Sequence, residues 1–550
     1  MRRILSLQFG NVYQRRQRGY TVLSRLYAHP AYLWLDPVQE NAGRNIREAR
    51  LEGYVHSRIA ATLALGLPDG DYEIRLTGFT KEWGHGPFHV TANGATVGEV
   101  IQIQPGRVFR QRLRATARRN RLDLRFVPAA GGDFLINTVE VFGTAPIKLQ
   151  PLFRHAPPGT PPARSTLAKT KPQAPADSLR EVCDWLLRHR EVDGFLGDTH
   201  GPGQIYWYTA SMPLRTLLAG HRLLGRQSYL AAATKLLDGF VAEQLPNGAW
   251  EAVRRGTPTV RLAKSEVQRI LREERLPMSD IGSMVTALAV AVPQVTGARR
   301  TRYLRALRRF CDEWAPRFQR RNGAFDDGVW PQPTKVYSCA TAIQGSTYAL
   351  VAKITGEPHY LKVAERALRF LLKDWRTDGR MLGRAPHWVV HNGKPFVLEP
   401  LHFGDQWYYD EGFITVWHHT TDARLRQALQ RALHHRVHGR AGLLAAMGAA
   451  TWWPYQDVWN NAKSVGMVQT LLFAQRHGRR SGRLDQAVTD ATRLLGDSAL
   501  RQSLGVMASD RGRPIAQHAI RSWAGLRMEA TGFAGMTLAE AMQPGVLYLA

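Results

Sequence analysis

Two patterns of apolar and polar residues divide the chain. Short runs that alternate apolar and polar positions occur at DYEIRLTGF (71–79), FHVTANG (88–94), TVGEVIQIQ (96–104), NRLDLRFV (120–127) and GGDFLINTVEVFG (131–143). A period of two sends successive side chains to opposite faces of a strand, and the Gly, Asn and Asp residues between runs mark turns. This spacing predicts an all-β sandwich over residues 1–143. Residues 144–178, including PPGTPPARSTLAKTKPQAPAD, are rich in Pro, Ala, Thr and Ser, lack apolar periodicity and read as a linker. From residue 179 to 550 the period changes. SLREVCDWLLRH, SYLAAATKLLDGFVAEQL, YLRALRRFCDEWAPRF and YLKVAERALRFLLKDW place apolar residues at i, i+3, i+4 and i+7, which predicts helices.

The helical part repeats itself. LLGRQSYLAAATKLLDGF aligns with VTGARRTRYLRALRRFCDEW and ITGEPHYLKVAERALRFLLKDW, and more faintly with HTTDARLRQALQRAL and GRLDQAVTDATRLL. Aligned leucines fall at Leu230, Leu304, Leu361, Leu425 and Leu484, steps of 74, 57, 64 and 59 residues. Each unit reads as a helix, a turn, a second helix and a loop, so this region holds six helical hairpins. Closed into a ring, six antiparallel hairpins make an all-α (α/α)6 toroid; an open solenoid is the alternative.

Composition narrows the partners. Hydrophobic content of 44% and charged content of 22% are those of an ordinary globular chain. No apolar run is long enough for a membrane span. The start, MRRILSLQFGN, is too short in apolar residues for a secretory h-region, so the chain is read as cytoplasmic or as lacking its leader. Cys183, Cys311 and Cys339 are odd in number and far apart, which argues against a disulfide framework and a zinc site. No metal or cofactor is expected. Net charge is +29, carried by 62 arginines and 12 lysines spread over every segment. With no basic tail and no nucleic-acid module in view, an acidic glycan ranks above nucleic acid as the partner.

The candidate chemistry clusters where loops become helices. LHFGDQWYYDEGFITVWHHT (401–420) brings His402, Asp405, Trp407, Tyr408, Tyr409, Asp410 and Glu411 together before an apolar helical run. Aromatic faces stack on pyranose rings, and carboxylates exchange protons with a glycosidic oxygen. Similar clusters recur: Tyr206, Trp207 and Tyr208 before PLRTL, Asp280 in PMSDIGSMV, and Tyr337 in KVYSCATAIQ. The last is WWPYQDVWNNAKSVGM, with Trp452, Trp453, Tyr455, Asp457, Trp459, Asn460, Asn461 and Lys463. In a ring of hairpins the loops before the inner helices open at one end, so these residues converge on a carbohydrate cleft. The bland alternative makes the aromatics core and the acids first-turn residues that suit the helix dipole.

Hydrolysis needs one protonated and one ionised acid. Asp280 is the first choice for acid/base, Asp410 or Glu411 the partner, and Asp457 the reserve. A lyase would instead use Tyr408 or Tyr409 as base, with His402, Asn460 or Asn461 neutralising a uronate. Asp326 and Asp327 in FDDG read as a solvated turn. His387, His391 and His402 match no metal-ligand spacing, and His418 and His419 read as structural.

Several stretches resemble known families. FGN near the start, LPDGDYEIRLTG, GPFHVTANG, RLDLRF and FLINTVEVFG are together similar to the galactose-binding-like (malectin-like) modules at the front of many carbohydrate-active enzymes. That resemblance implies a sugar-binding or purely structural sandwich, with Trp83 and His85 in KEWGHG as possible ligand contacts. The helical part, over roughly 180–500, resembles the six-hairpin glycosidase superfamily, and within it the unsaturated glucuronyl hydrolases. The stretches that carry this are MSDIGSMVTALAVAVPQVTG (278–297), SCATAIQGSTYALVAKITGEPHYLKVAERALRFL, TDGRM (377–381) and DVWNNAKSVGMVQTLLFA. The resemblance implies a catalytic role for Asp280. It departs at the family's second acid, where Thr341 and Gln344 stand, and at its Trp-Ser-Arg-Gly-type stretch, replaced by DQWYYDEGF. The expected function is hydrolysis of a glycosidic bond in a uronate-containing oligo- or polysaccharide. A polysaccharide lyase is the runner-up and a non-catalytic glycan-binding protein the third reading.

Overall fold

The computed structural model describes residues 1–9, 17–23, 31–34, 38–42, 46–58, 60–82, 84–150, 152, 169–190, 194–196, 199–200, 204–205, 207–252, 254, 278–326, 338–373, 387–391, 394–398, 403–439, 442–444, 465–498 and 527–548. Strands fill residues 2–143 and helices dominate residues 175–542.

The strands are β1 (Arg2–Phe9), β2 (Thr21–Leu23), β3 (Tyr32–Trp34), β4 (Gln39–Ala42), β5 (Gly53–Ser57), β6 (Ala61–Leu65), β7 (Gly70–Gly78), β8 (His85–Ala92), β9 (Ala95–Ile103), β10 (Phe109–Ala117), β11 (Leu122–Pro128), β12 (Phe134–Ile136) and β13 (Thr138–Gly143). One five-stranded sheet runs β10-β7-β13-β1-β2, a second runs β3-β6-β11-β8-β9, and β12-β5-β4 form a third. The alternation seen in the sequence becomes an inward face of Leu7, Ile74, Leu76, Val90, Phe126, Val139 and Val141, all buried. Trp34 sits at the middle of this core, with ring centroids 5.4 Å from Phe9 and 5.7 Å from Phe126. Buried Asn137 ties two layers together, its Nδ2 donating to the carbonyls of Leu51 (3.0 Å) and Gly53 (2.9 Å). A side-chain amide supplies the donors that this irregular stretch of backbone would otherwise lack.

Twelve α-helices of the described residues alternate between two rings. The outer helices are α1 (Pro175–His189), α3 (Gln227–Ala242), α5 (Gly297–Arg308), α7 (Pro358–Lys373), α9 (Ala423–His438) and α11 (Gly482–Leu495). The inner ones are α2 (Ser211–Leu224), α4 (Met278–Ala291), α6 (Ser338–Thr355), α8 (Phe403–His419), α10 (Met467–His477) and α12 (Arg527–Met542). Thus α1 starts inside the stretch read as linker. The inner helices pack in the circuit α2, α4, α6, α8, α10, α12 and back to α2, so the ring is closed and the solenoid alternative falls away. On α6 every residue from Ser338 to Val351 is buried, whereas outer α7 buries one stripe: Tyr360, Ala364, Ala367, Leu368 and Leu371. A helix apolar on all sides is surrounded, and an amphipathic one faces water.

Glycine lets the inner helices approach. A Cβ on Gly412 would stand 2.8 Å from the Ala342 carbonyl oxygen, closer than real side chains come. Around the outside, the repeat carries a bond of its own. Tyr229 of α3 donates to Asp184 of α1 (2.7 Å), Tyr303 of α5 to Asp238 of α3 (2.9 Å), and Tyr360 of α7 to Asp312 after α5 (3.0 Å). Three successive outer helices, α3, α5 and α7, are therefore fastened to the one before at the same point of the repeat.

Connection lengths differ sharply between the two ends of the ring. Inner-to-outer connections take two to five residues (225–226, 292–296, 356–357, 420–422, 478–481). Outer-to-inner connections take 21 to 35 (190–210, 243–277, 309–337, 374–402, 439–466, 496–526). Among the described residues no helix is long and apolar enough to cross a membrane.

Near the end of α12, Glu540 accepts hydrogen bonds from Arg476 Nη1 (2.9 Å) and from the Gly545 amide (2.8 Å). Burial pushes its carboxyl up to about 7, against the lowering by Gly545 and Arg476. A carboxyl raised above its ordinary value of 4.5 stabilises the fold fully at low pH and loses that contribution as pH rises through 7. Relative to Glu540→Gln, the wild type is expected to lose up to about 3 kcal/mol of unfolding free energy between pH 4.5 and 8. Urea denaturation of both proteins across that range tests it; a constant difference would rule the coupling out.

Candidate active site

Contacts between inner helices set their register. Thr286 Oγ1 of α4 lies 2.8 Å from Thr347 Oγ1 of α6, and Gly282 packs on Ile343 and Gln344. Gly412 of α8 packs on Ala342. Asp280 and Glu411 therefore stand at one height in the ring, both level with Thr341. Asp280 is the third residue of α4, half-buried, at the end that carries all six long connections. Its backbone carbonyl accepts the Ser283 hydroxyl (2.9 Å).

Glu411 forms an ion pair with Arg215 of α2, and both side chains are buried. In the ring order α2 and α8 are opposite each other, with two helices between them on either side. The pair therefore reaches across the ring at this level. Burial pushes the Glu411 carboxyl above its ordinary range, and Arg215 pulls the other way. A solvated ion pair contributes little, but a pair this dry fixes geometry and is costly to break.

Asp410 is a correction to the sequence reading. It is fully buried, and its Oδ2 accepts from Arg436 Nε of outer helix α9 (3.2 Å) and from Thr470 Oγ1 of α10 (2.8 Å). Successive residues of a helix point about 100° apart, so Glu411 faces the bore while Asp410 is turned outward into the wall. Burial raises its carboxyl, with Arg436 opposing. Asp410 fastens α8 to α9 and α10 and is not placed to meet a substrate.

The aromatics are corrected in the same way. Trp207 is almost wholly buried, edge-on to Phe240 (5.1 Å) and Phe195 (5.9 Å), with its Nε1 donating to Glu243 (3.3 Å). Trp407 is edge-on to Phe533 (4.9 Å) and Tyr408 (5.2 Å). The Tyr409 hydroxyl donates to Ser338. These faces are spent on protein rather than offered to sugar, and Tyr408 is buried with them. Tyr409 is equally unsuited to act as a lyase base. Asp326 is not in a solvated turn: it is buried and pairs with Arg320 Nε at 2.7 Å.

Tyr206, Tyr337, His402, Trp453, Asp457, Trp459, Asn460, Asn461 and Lys463 lie outside the described residues, as do Trp83 and Asp327, and Asp405 is described in its backbone alone. At the positions of the family's second acid, Thr341 Oγ1 accepts the Phe325 amide (2.9 Å), and Gln344 Nε2 donates to the Met278 carbonyl at the head of α4 (2.9 Å). Both hold structure. His419 Nε2 bonds the Tyr548 carbonyl (2.6 Å), and burial pushes neighbouring His418 down to about 4. Among the described residues no group of three His, Cys, Asp or Glu side chains could hold a metal ion.

Sequence reading missed Arg215. The signal was there: one arginine inside SMPLRTLLAG, a mostly apolar stretch in which every residue is buried.

No family model matches the chain, and no curated protein matches it. Among solved structures it is similar to an unsaturated glucuronyl hydrolase specific for heparin, with 12% identity, 67% of this chain and 97% of that one covered, and a TM-score of 0.45. It is likewise similar to an unsaturated glucuronyl hydrolase from Bacillus sp. GL1 responsible for the degradation of glycosaminoglycan (14%, 67% and 97%, TM-score 0.43). An inactive variant of an α-1,6-mannanase from a Salegentibacter species, in complex with α-1,6-mannotriose, is a third (10%, 67% and 100%, TM-score 0.45).

Proposed function

We propose that the toroid hydrolyses a glycosidic bond in an acidic, uronate-containing oligo- or polysaccharide. One observation carries this reading. A half-exposed carboxylate, Asp280, stands at the end of a closed helical ring that bears all six long connections, level with a second carboxyl, Glu411, that is buried and paired with Arg215. Long connections on one end of a rigid scaffold are where binding residues gather. Two carboxyl groups in unlike environments are the equipment that glycoside hydrolysis requires.

In this reading Asp280 exchanges the proton at the glycosidic oxygen or the attacking water. Water adds to the anomeric carbon, the exocyclic C–O bond breaks, and the leaving sugar departs as an alcohol. Glu411 is the partner acid and Arg215 its counter-charge. The net charge of +29 favours substrates that bring carboxylates.

The test is to incubate the full chain with uronate-containing polysaccharides and their unsaturated fragments, following reducing ends together with the ultraviolet absorbance of C4–C5 double bonds. New reducing ends with flat or falling absorbance are expected. Rising absorbance would make the protein a lyase, and binding without turnover a glycan-binding protein.

A further inference from the structure

The outward face of the sheet β10-β7-β13-β1-β2 carries charge that the toroid's chemistry does not use. β10 is an edge strand, and its alternation turns Leu113, Ala115 and Ala117 inward and Arg110, Arg112 and Arg114 outward, all three exposed. Side chains two apart on a strand are roughly 7 Å from one another, so the arginines form a straight row. The acids on the same face are taken. Glu73 accepts from Arg75 Nε (2.6 Å), Glu140 pairs with Arg3 (3.3 Å), and Asp71 accepts the Thr116 hydroxyl (2.6 Å). Among the described residues none of the three β10 arginines makes a salt bridge, although Arg112 adds to the lowering of the Glu73 carboxyl that its bond to Arg75 begins.

We propose that this row is a docking surface for an acidic polysaccharide. Like charges side by side on a strand cost stability unless something neutralises them, and guanidinium groups match carboxylates and sulfates in a bidentate manner. Nucleic acid fits the face less well. The aromatic ring on it, Phe142, is capped by the Arg75 guanidinium at 3.9 Å, which leaves no platform for stacking bases. A lipid surface fits poorly too. The large apolar residues exposed among the described residues are Met1 and Val100, too few to insert. The choice of a glycan as occupant rests on the function proposed above, whereas the charge row stands without it. A charged edge strand also resists edge-to-edge pairing, so the experiment must detect a ligand.

Equilibrium binding of the full chain to polygalacturonate, hyaluronan and heparin, with oligo-dT and phosphatidylserine vesicles alongside, is measured by fluorescence anisotropy or cosedimentation at several salt concentrations. No turnover is read, so failure here is separate from failure of the hydrolase assay. Arg110→Glu/Arg112→Glu/Arg114→Glu is expected to weaken glycan binding about tenfold or more and to flatten its salt dependence. The milder triple change to Gln keeps the test open should the Glu variant unfold. A control that reverses three other exposed arginines, Arg300, Arg305 and Arg321, makes the same change in net charge and is expected to bind nearly as the wild type. Equal losses in both triples would overturn the proposal, as would tighter binding of oligo-dT or vesicles than of any glycan.

Discussion

Asp280→Asn is expected to lower turnover of an acidic glycan about a hundred- to ten-thousandfold, the usual range for removing a proton-transfer group, while glycan affinity changes little. The substitution preserves size and hydrogen-bonding reach at the first turn of α4, and the Ser283 bond goes to the backbone carbonyl of residue 280 rather than its side chain. The melting temperature of the variant separates lost folding from lost activity. A kcat within a factor of a few of the wild type would reduce Asp280 to a first-turn acid that suits the dipole and no more. A fall in affinity without a fall in kcat would make it a binding residue.

The second large effect belongs to the pair that crosses the bore. Arg215→Met is expected to cost about 3–5 kcal/mol of unfolding free energy, because it leaves the Glu411 carboxylate buried without its counter-charge. Arg215→Met combined with Glu411→Leu should recover most of that loss, since two apolar side chains of similar volume can replace a buried pair at little cost. Denaturant unfolding of the four proteins in the cycle gives the coupling. A single-variant cost below about 1 kcal/mol, the range of a solvated pair, would contradict the geometry. Activity adds a second readout. If Glu411 is the partner acid, the double variant regains stability without regaining kcat; recovery of both would confine Glu411 to structure.

The features legible in the sequence were those written as periodicity. The alternation in DYEIRLTGF is β7, and Leu230, Leu304, Leu361, Leu425 and Leu484 each lie on an outer helix. Outer helices are easy to read because one side meets water. The inner helices are buried on all sides over most of their length, so their pattern reports burial without saying against what. That is why the Arg215–Glu411 contact, between residues nearly two hundred positions apart, was invisible. The same limit explains the aromatics. Trp207, Trp407 and Tyr409 at loop-to-helix junctions have the composition of a sugar platform and also of a core, and composition cannot tell which face a ring shows. Adjacent Asp410 and Glu411 looked interchangeable in sequence, and the turn of one helix separates them into wall and bore.

Ring closure also constrains the order in which the protein can be made. Thr216 of α2 donates to the Gly532 carbonyl of α12, and Arg215 beside it waits for Glu411 of α8. A ribosome delivers α2 long before either partner, so the first hairpin leaves the exit tunnel with a charge and a hydroxyl that its own neighbours cannot satisfy. The Tyr–Asp fasteners can form one hairpin at a time as the chain lengthens, but the bore cannot dry until the last inner helix arrives. Contacts of such long sequence separation are slow to form, so nascent chains that stop short of α12 are the species most exposed to aggregation and most dependent on chaperones.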